Sequence, residues 1–371
     1  MEFKEYRFDE VTINFDKKRV PLSSTQRKRI QGEYRYYGAQ GVIDHINDFI
    51  FDGTYLLIAE DGENLKSKKQ DIAQVVDGQF WVNNHAHIVQ GNELCDTRYL
   101  CYLLNSMDLS GYITGSAQPK LSQSNLNAVS VFLPPITIQK EIVEYLYILD
   151  KKIAVNIAIN DYLEQQASAL FSSFYDRSNT EVRYTDLIQI LGGGTPKTGE
   201  NTYWNGNIAF FTPKDVGTPY TLITEKTITE EGLSHCNSRL YPVNTVFVTA
   251  RGTVGKVGMS GVPMAMNQSC YALVGKETHQ LLVYFYTLKA VDRLKHKASG
   301  AVFDAITTKD FESEQIMKLS DDDAKAFLCI AEPMFQKVLN NCIENLRLST
   351  LRDSLLPKLM SGEVDVSAVK L

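Results

Sequence analysis

The chain is built twice. A constant offset of 185 positions lays Leu121-Ser122-Gln123 on Ile306-Thr307-Thr308, Asn125-Leu126 on Asp310-Phe311, and Thr114-Gly115-Ser116 on Ser299-Gly300-Ala301, without a gap. The same offset carries Ile153 onto Val338, Asn160 onto Asn345, Leu163 onto Leu348 and Leu170 onto Leu355, so each copy closes on a long amphipathic helix. Such a duplication constrains the fold more than composition does: two related domains, each with its own helix, presenting similar but differently decorated surfaces.

Other parts of the copies match at other offsets. Residues 240–249 lie over 49–58 at 191, and residues 266–272 lie over 82–88 at 184, which places insertions in loops between shared core elements. Residues 5–135 alternate short apolar runs with Gly, Asn and Asp, and predict a mostly β domain with strands near Tyr55-Leu56-Leu57-Ile58, Gln79-Phe80-Trp81-Val82 and Val129-Ser130-Val131-Phe132. One helix is expected from Thr97 to Met107, where Leu100, Leu103 and Leu104 recur at helical spacing, and Pro134-Pro135 ends the sheet before the long helix.

The helices carry apolar seams. The first runs Ile142, Leu146, Leu149, Ile153, Ile157, Asn160, Leu163, Ala167, Leu170 and Phe174; the second runs Phe327, Ala331, Met334, Val338, Cys342, Asn345, Leu348, Arg352, Leu355 and Leu359. About 38 residues make a rod of roughly 57 Å, longer than one small domain covers, so the seams are expected to pair as an antiparallel coiled coil. Asn160 and Asn345 share a slot near the midpoint and are expected to face each other and pin the register; two isolated polar slips are the alternative. Pro333 is expected to kink or restart the second helix.

Composition bounds the function. Hydrophobic residues make up 44% of the 371, enough for packed cores, while Met1 to Glu10 has no apolar signal region and no run approaches a membrane span. Cys95, Cys101, Cys236, Cys270, Cys329 and Cys342 show no C-x-x-C spacing, which reads as reduced thiols in a cytoplasmic protein without a zinc site. A net charge of −6 excludes a uniformly basic surface, but Lys17, Lys18, Arg19, Arg27, Lys28, Arg29 and Arg35 face only Glu33 between positions 17 and 35. That stretch is either a solvated loop or a track for phosphates.

Catalytic motifs fail. After Gly194-Thr195-Pro196-Lys197-Thr198-Gly199 comes Glu200 where a P-loop needs Lys, and Ala250-Arg251-Gly252-Thr253-Val254-Gly255-Lys256 lacks both the first Gly and the following hydroxyl. No Asn-Pro-Pro-aromatic tetrad, G-x-S-x-G or H-E-x-x-H occurs; strand alternation places His85 and His87 on one face, as polar or half-buried packing rather than metal ligands. Catalytic and metal-binding residues are therefore expected to be none. What remains is glycine-rich loop chemistry. The segment from Gly192 to Thr198 can approach a phosphate, Arg251-Gly252-Thr253 with Lys256 forms a second loop, and Asn267-Gln268 and Asn83-Asn84-His85 offer amides suited to adenine edges.

These residues resemble the specificity subunit of type I restriction-modification systems over nearly the whole chain. Gly193-Gly194-Thr195-Pro196, Tyr203-Trp204-Asn205-Gly206 and Phe211-Thr212-Pro213-Lys214-Asp215 look like the opening of that family's target recognition domains. Tyr36-Tyr37-Gly38-Ala39-Gln40-Gly41-Val42-Ile43-Asp44, Glu60-Asp61-Gly62 and Trp81-Val82-Asn83-Asn84-His85-Ala86-His87 look like a second variant. Leu133-Pro134-Pro135 with Gln139-Lys140-Glu141-Ile142 and Leu149-Asp150 resembles the entry to a spacer helix, and the stretch from Leu355 to Asp365 resembles the closing segment. The first copy lacks the Gly-Gly-Thr-Pro opening and has Phe15-Asp16-Lys17-Lys18-Arg19-Val20-Pro21-Leu22 instead, so a phosphate role for that loop is carried only to the second copy.

The resemblance implies an α+β architecture: two pseudo-symmetric target recognition domains, mostly β with a few helices, separated by two long antiparallel coiled-coil helices. The expected division is 1–137 and 178–321 for the recognition domains, 138–177 for the central spacer helix and 322–371 for the C-terminal helix and tail. It also implies a non-catalytic subunit that reads each half of a bipartite, asymmetric double-stranded DNA site with one domain. Expected partners are two modification (methyltransferase) subunits and the restriction (translocase and nuclease) subunits, with S-adenosylmethionine, ATP and magnesium on those partners, none on this chain, and no membrane. The candidate DNA-binding residues are Lys28, Tyr36, Tyr37, Glu60, Asn83, Asn84 and His85 in the first copy. In the second they are Lys197, Thr198, Lys214, Arg251, Thr253, Lys256, Asn267 and Gln268. The rival readings are a DNA-modifying enzyme acting alone, which would bind S-adenosylmethionine tightly, and a protein scaffold without salt-dependent duplex affinity.

Overall fold

The structure is a computed structural model that describes all residues except 1, 69, 116–117, 218, 298–304 and 365–371. Ser116, residues 299–301 and Asp365, used in the repeat and motif alignments, lie outside the described residues. Two compact units are present: Met1–Lys151 with Leu348–Leu371, and Lys152–Arg347. Each long helix contributes to both units.

In the first unit the strands are β1 (Lys4–Arg7), β2 (Thr12–Asn14), β3 (Gln31–Gly38), β4 (Gly41–Ile46), β5 (Phe51–Ala59), β6 (Ala73–Val82), β7 (Ala86–Gly91) and β8 (Ser130–Leu133). Its helices are α1 (Phe8–Val11), α2 (Ser24–Arg29), α3 (Asn64–Ser67), α4 (Thr97–Ser106), α5 (Gln123–Asn127) and the start of α6 (Ile136–Arg177). A six-stranded sheet, ordered β2-β7-β5-β6-β3-β4, is antiparallel except for the parallel β3–β6 pair. Both faces are covered. Leu56 and Ile58 point into a core with Tyr99, Leu100, Leu103 and Leu104 of α4, while Leu57 points into a second core with Tyr37, Phe80 and Ile88. Asp96 caps α4 by accepting from the Arg98 and Tyr99 N–H groups, and each fully buried leucine of the inner face contributes about 1.5–3 kcal/mol.

The second unit holds β9 (Thr180–Arg183), β10 (Ile188–Gly192), β11 (Trp204–Phe211), β12 (Tyr220–Thr221), β13 (Lys226–Ile228), β14 (Val246–Thr249), β15 (Val257–Ser260), β16 (Met264–Met266), β17 (Cys270–Gly275) and β18 (Gln315–Lys318). Its helices are the remainder of α6, then α7 (Tyr184–Leu187), α8 (Glu230–Ser234), α9 (Gln280–Lys297), α10 (Thr308–Ser313) and most of α11 (Asp321–Met360). Its main sheet, β10-β17-β14-β15-β12, is joined by a β13-β11-β16 sheet.

The duplication is visible bond by bond. Arg7 pairs with Ser130 as Arg183 pairs with Gln315, and the Arg7 and Arg183 N–H groups donate to Glu10 and Asp186 three residues on. The central strands correct one alignment. Leu56 pairs with Val89 as Val246 pairs with Leu273, so β14 overlies β5 at an offset of 190, one residue from the 191 read in the sequence. Because side chains alternate, that single residue decides the face: Val246 and Val248 point to α9 as Leu56 and Ile58 point to α4.

The long helices run antiparallel in each unit. In the first, Arg352 Nη1 donates to Asp150 Oδ1 at 2.7 Å and Tyr102 donates its hydroxyl to the same carboxylate. In the second, Asn156 Nδ2 donates to Asn345 Oδ1 and Asn341 Nδ2 to Asn160 Oδ1, both at 2.8 Å, while Arg177 pairs with Asp323.

The seam expectation at Asn160 is revised. Asn160 does not face Asn345, because the pairings place the local axis between positions 156 and 160; equivalents on either side of it exchange partners. Asn156 takes the seam place expected of Ile157, which is half exposed. The helix also continues through Pro333 without a restart. Pro333 and Cys329, whose carbonyl loses its amide partner to the proline ring, are both exposed residues of α11.

Candidate nucleic-acid interface

In the second unit, strand polarity gathers three loops. Parallel β11 and β16 end together and release Thr212-Pro213-Lys214 and Asn267-Gln268-Ser269; β14 ends beside the start of β17 and releases Ala250-Arg251-Gly252-Thr253. They enclose a cleft of about 450 Å3 lined by Lys214, Lys226, Arg251, Thr253, Asn267 and their neighbours. The Asn267 N–H donates to Phe211 O at 3.0 Å, and Asn267 Oδ1 accepts from the Ser269 N–H at 3.0 Å. Thr253 Oγ1 donates to Pro213 O at 3.2 Å, tying the outer loops together, and Gly252 needs its φ of +82° for the turn. Lys214 lies 3.6 Å from Glu225, and Lys226 sits over the Trp204 ring at 5.6 Å.

The structure thus brings Lys214, Arg251, Thr253 and Asn267 together and adds Lys226, which the sequence reading missed. Its signal was the Trp204 cation contact across the β11–β13 pair, invisible without the pairing register. Lys197, Thr198 and Lys256 are exposed but do not line the cleft, and Gln268 accepts a hydrogen bond from Thr195. Gly193 and Gly194 serve packing. A Cβ on Gly193 would lie 2.2 Å from Asn267 O, and one on Gly194 2.7 Å from Asn237 N, so the loop is pressed against the Asn267 turn.

The first unit repeats this frame. β3 and β6 end together, the Asn83 N–H donates to Tyr37 O at 3.0 Å, and Asn83 Oδ1 accepts from the His85 N–H at 2.8 Å. Glu60-Asp61-Gly62 leaves β5 as Ala250-Arg251-Gly252 leaves β14: the Glu60 N–H donates to His85 O at 2.9 Å, and the Ala250 N–H to Ser269 O at 2.8 Å. Asp61 and His85 form a contact of 2.7 Å between Oδ2 and Nδ1.

Where the second unit uses glycines to seat this turn, the first uses charge. His87, fully buried, places Nδ1 2.6 Å from Asp16 and Nε2 2.8 Å from Leu121 O. Arg19 donates to Ala86 O and to Glu60 at 2.8 Å, and Lys120 lies 3.3 Å from Glu60. Burial pushes the Asp16 carboxyl up, but hydrogen bonds from His87 and the Ile88 N–H, with the nearby charges of His87 and Arg19, outweigh it and hold the group below its ordinary value. Glu60 is likewise lowered, burial being outweighed by Arg19, His87 and Lys120.

Several first-copy candidates are corrected by this packing. Tyr36 is fully buried, its hydroxyl accepting from the Leu22 N–H at 2.9 Å and its ring 5.1 Å from the Arg27 guanidinium; Tyr37 packs edge-on against Phe80. Both faces of β3 are covered at these two residues, so neither ring is open to a duplex. Glu60 is held in ion pairs and Asn83 is buried in its own turn. Lys28, Asn84 and His85 remain on the surface. His85 and His87 share no face, because β7 starts at Ala86 and His85 belongs to the turn. Asp61 was missed, although its alignment with Arg251 could have found it.

Two copies of one α+β domain, each with the same three-loop rim and a share of paired helices, define a tandem recognition-type scaffold. The profile of the type I restriction modification DNA specificity domain matches residues 1–165 and 177–318, and the chain belongs to that family of type I specificity subunits. A putative type I restriction enzyme specificity subunit of Haemophilus influenzae is 34% identical over 138 residues, 37% of this chain and 35% of that protein. The type I restriction enzyme HindI specificity subunit of the same species is 23% identical over 402 residues, 84% of each chain. The chain therefore spans about a third of the first relative's length and most of the second's. A crystal structure of a type I restriction-modification system S subunit from M. genitalium covers 97% of this chain and 96% of its own at a TM-score of 0.65 and 12% identity, a likeness of fold. Among the described residues, no helix is long and apolar enough to cross a membrane.

Proposed function

We propose that this chain is the non-catalytic DNA-recognition subunit of a type I restriction-modification complex. Each domain reads one half of a bipartite, asymmetric duplex site, and the helices set the unread spacer. The observation that carries this reading is the rim built twice on one backbone frame with unlike side chains, which suits two different half-sites. At 42 residues α6 is about 63 Å long, ample to separate half-sites about 34–36 Å apart. Exposed Val155, Ile157, Ile159 and Tyr162 on α6 support docking of two modification subunits there; restriction subunits complete the complex. S-adenosylmethionine, ATP and magnesium belong to those partners, in the cytoplasm. Mapping methylated sites in a host carrying the chain and its partners tests this: a split motif with a fixed gap is expected, and a continuous motif or none would overturn it. Shortening both helices by one heptad should change the gap and leave both half-sites intact.

A further inference from the structure

The two rims share a backbone and carry opposite charges at one equivalent position, Asp61 and Arg251. Asp61 and Arg251 follow the same strand end, precede a glycine of positive φ (+119° at Gly62, +82° at Gly252), and form the same isolated bridge, to Lys120 and to Ala305, 185 positions apart. Opposite each stands the residue two places after the rim asparagine, His85 or Ser269. The frame therefore presents a carboxylate held by an imidazole in one unit. In the other it presents an exposed guanidinium with no ion pair or side-chain hydrogen bond among the described residues.

A carboxylate facing a polyanion is repelled unless it accepts a hydrogen bond there, and the donors on major-groove base edges are the amino groups of cytosine and adenine. A free guanidinium matches O6 and N7 of guanine, two acceptors in one plane. We infer that Asp61, oriented by His85, and Arg251 are specificity-determining residues at equivalent positions of the two half-sites, Asp61 selecting an exocyclic amino group and Arg251 a guanine. Resting on the recognition reading above, the inference adds which side chains read and what chemistry each selects. Asn267 and Asn83, whose oxygens are used inside their own turns, act as positioning residues.

The test is selection of bound duplexes from a randomised pool by the full-length chain with its co-expressed modification subunits, comparing the natural protein with D61A, R251A and R251K. R251A is expected to lose a guanine requirement at one position of one half-site, with discrimination there falling roughly ten- to a hundredfold, while the other half and the gap persist. D61A is expected to relax a cytosine or adenine at one position of the opposite half. R251K, which keeps the charge and loses the planar fork, is expected to bind while relaxing the same guanine, and it decides the matter where R251A binds too weakly for selection. Unchanged motifs, or R251A and R251K that weaken binding evenly across sequences, would assign these residues to phosphates and overturn the inference alone. Absence of any two-part motif with the natural protein would overturn the recognition reading and this inference with it.

Discussion

Asn156 donates to Asn345 and Asn341 donates to Asn160, so the four seam asparagines pair crosswise, each with the repeat equivalent of its neighbour one helical turn away. Asn156 and Asn341 are fully buried, and the Oδ1 of each has no partner among the described residues. Replacing Asn341 alone with Leu leaves the Asn160 oxygen without its donor and is expected to cost about 1–2 kcal/mol. Replacing all four with Leu is expected to raise the melting temperature while weakening preference for one register. Thermal unfolding of the two variants reads both effects; a single substitution that stabilises as much as the quadruple would rule out the pairing.

Gly193 and Gly192 are adjacent but unequal. A Cβ on Gly193 collides with Asn267 O and Met266 O, whereas one on Gly192 meets nothing within 4 Å. Gly193→Ala is expected to lower the stability of the second unit by about 1–3 kcal/mol and disturb the Asn267 turn, with Gly192→Ala close to neutral. Calorimetry with hydrogen exchange at residues 266–269 distinguishes the two.

Acid should act oppositely on the two units. Asp16 and Glu60 titrate lower in the folded protein than free, so their contribution is complete above the ordinary carboxylate range and is lost as pH falls through the folded values. Glu164 is pushed up to about 7, by burial first and then by Asp161. Its protonated form is the better folded one, so the second unit loses stability as pH rises from about 4.5 to 7. Denaturation from pH 3 to 8 should show Glu164→Gln flattening the neutral limb and Asp16→Asn the acidic one. An E164Q profile parallel to the natural protein's above pH 5 would contradict the assignment.

The helices are anchored by unlike chemistry. At the 185 offset, Asp150 becomes Phe335 and Arg352 becomes Ala167; Phe335 packs edge-on with Tyr284 and Phe285. Phe335→Ala is expected to cost about 3–5 kcal/mol independent of salt. Asp150→Ala, which leaves a half-buried guanidinium with Asp353 as its carboxylate partner and removes the acceptor of the Tyr102 hydroxyl, should cost about 1–2 kcal/mol, and less at high ionic strength. Melts in low and high salt check the contrast.

Most of the frame was legible from the repeat. Matching residues at 185 placed α6 and α11, and the spacing of Leu100, Leu103 and Leu104 placed α4 to within one residue. The faces were less so. The register of β14 differed by one residue because Val246, Phe247, Val248 and Thr249 are all buried, and a strand covered on both sides carries no alternation to align. Tyr36 and Tyr37 fail as DNA-binding candidates for a related reason: coverage of both faces of β3 at these residues comes from partners distant in sequence. Asn156 was legible, since it and Asn341 recur at 185, but the apolar Ile157 beside it fitted the same helical spacing after Ile153 and drew the seam there.

The seating of the rim by backbone contact in one unit and by the Asp16, Arg19 and His87 cluster in the other carries a practical consequence for engineering. Tips transplanted between halves would lose their footing, because residues 83–85 stand on a segment that begins near Phe15 and residues 267–269 stand on one that begins near Gly192. New combinations of targets would come from exchanging whole heads along with their own foundations, a cut that leaves the shared helices untouched.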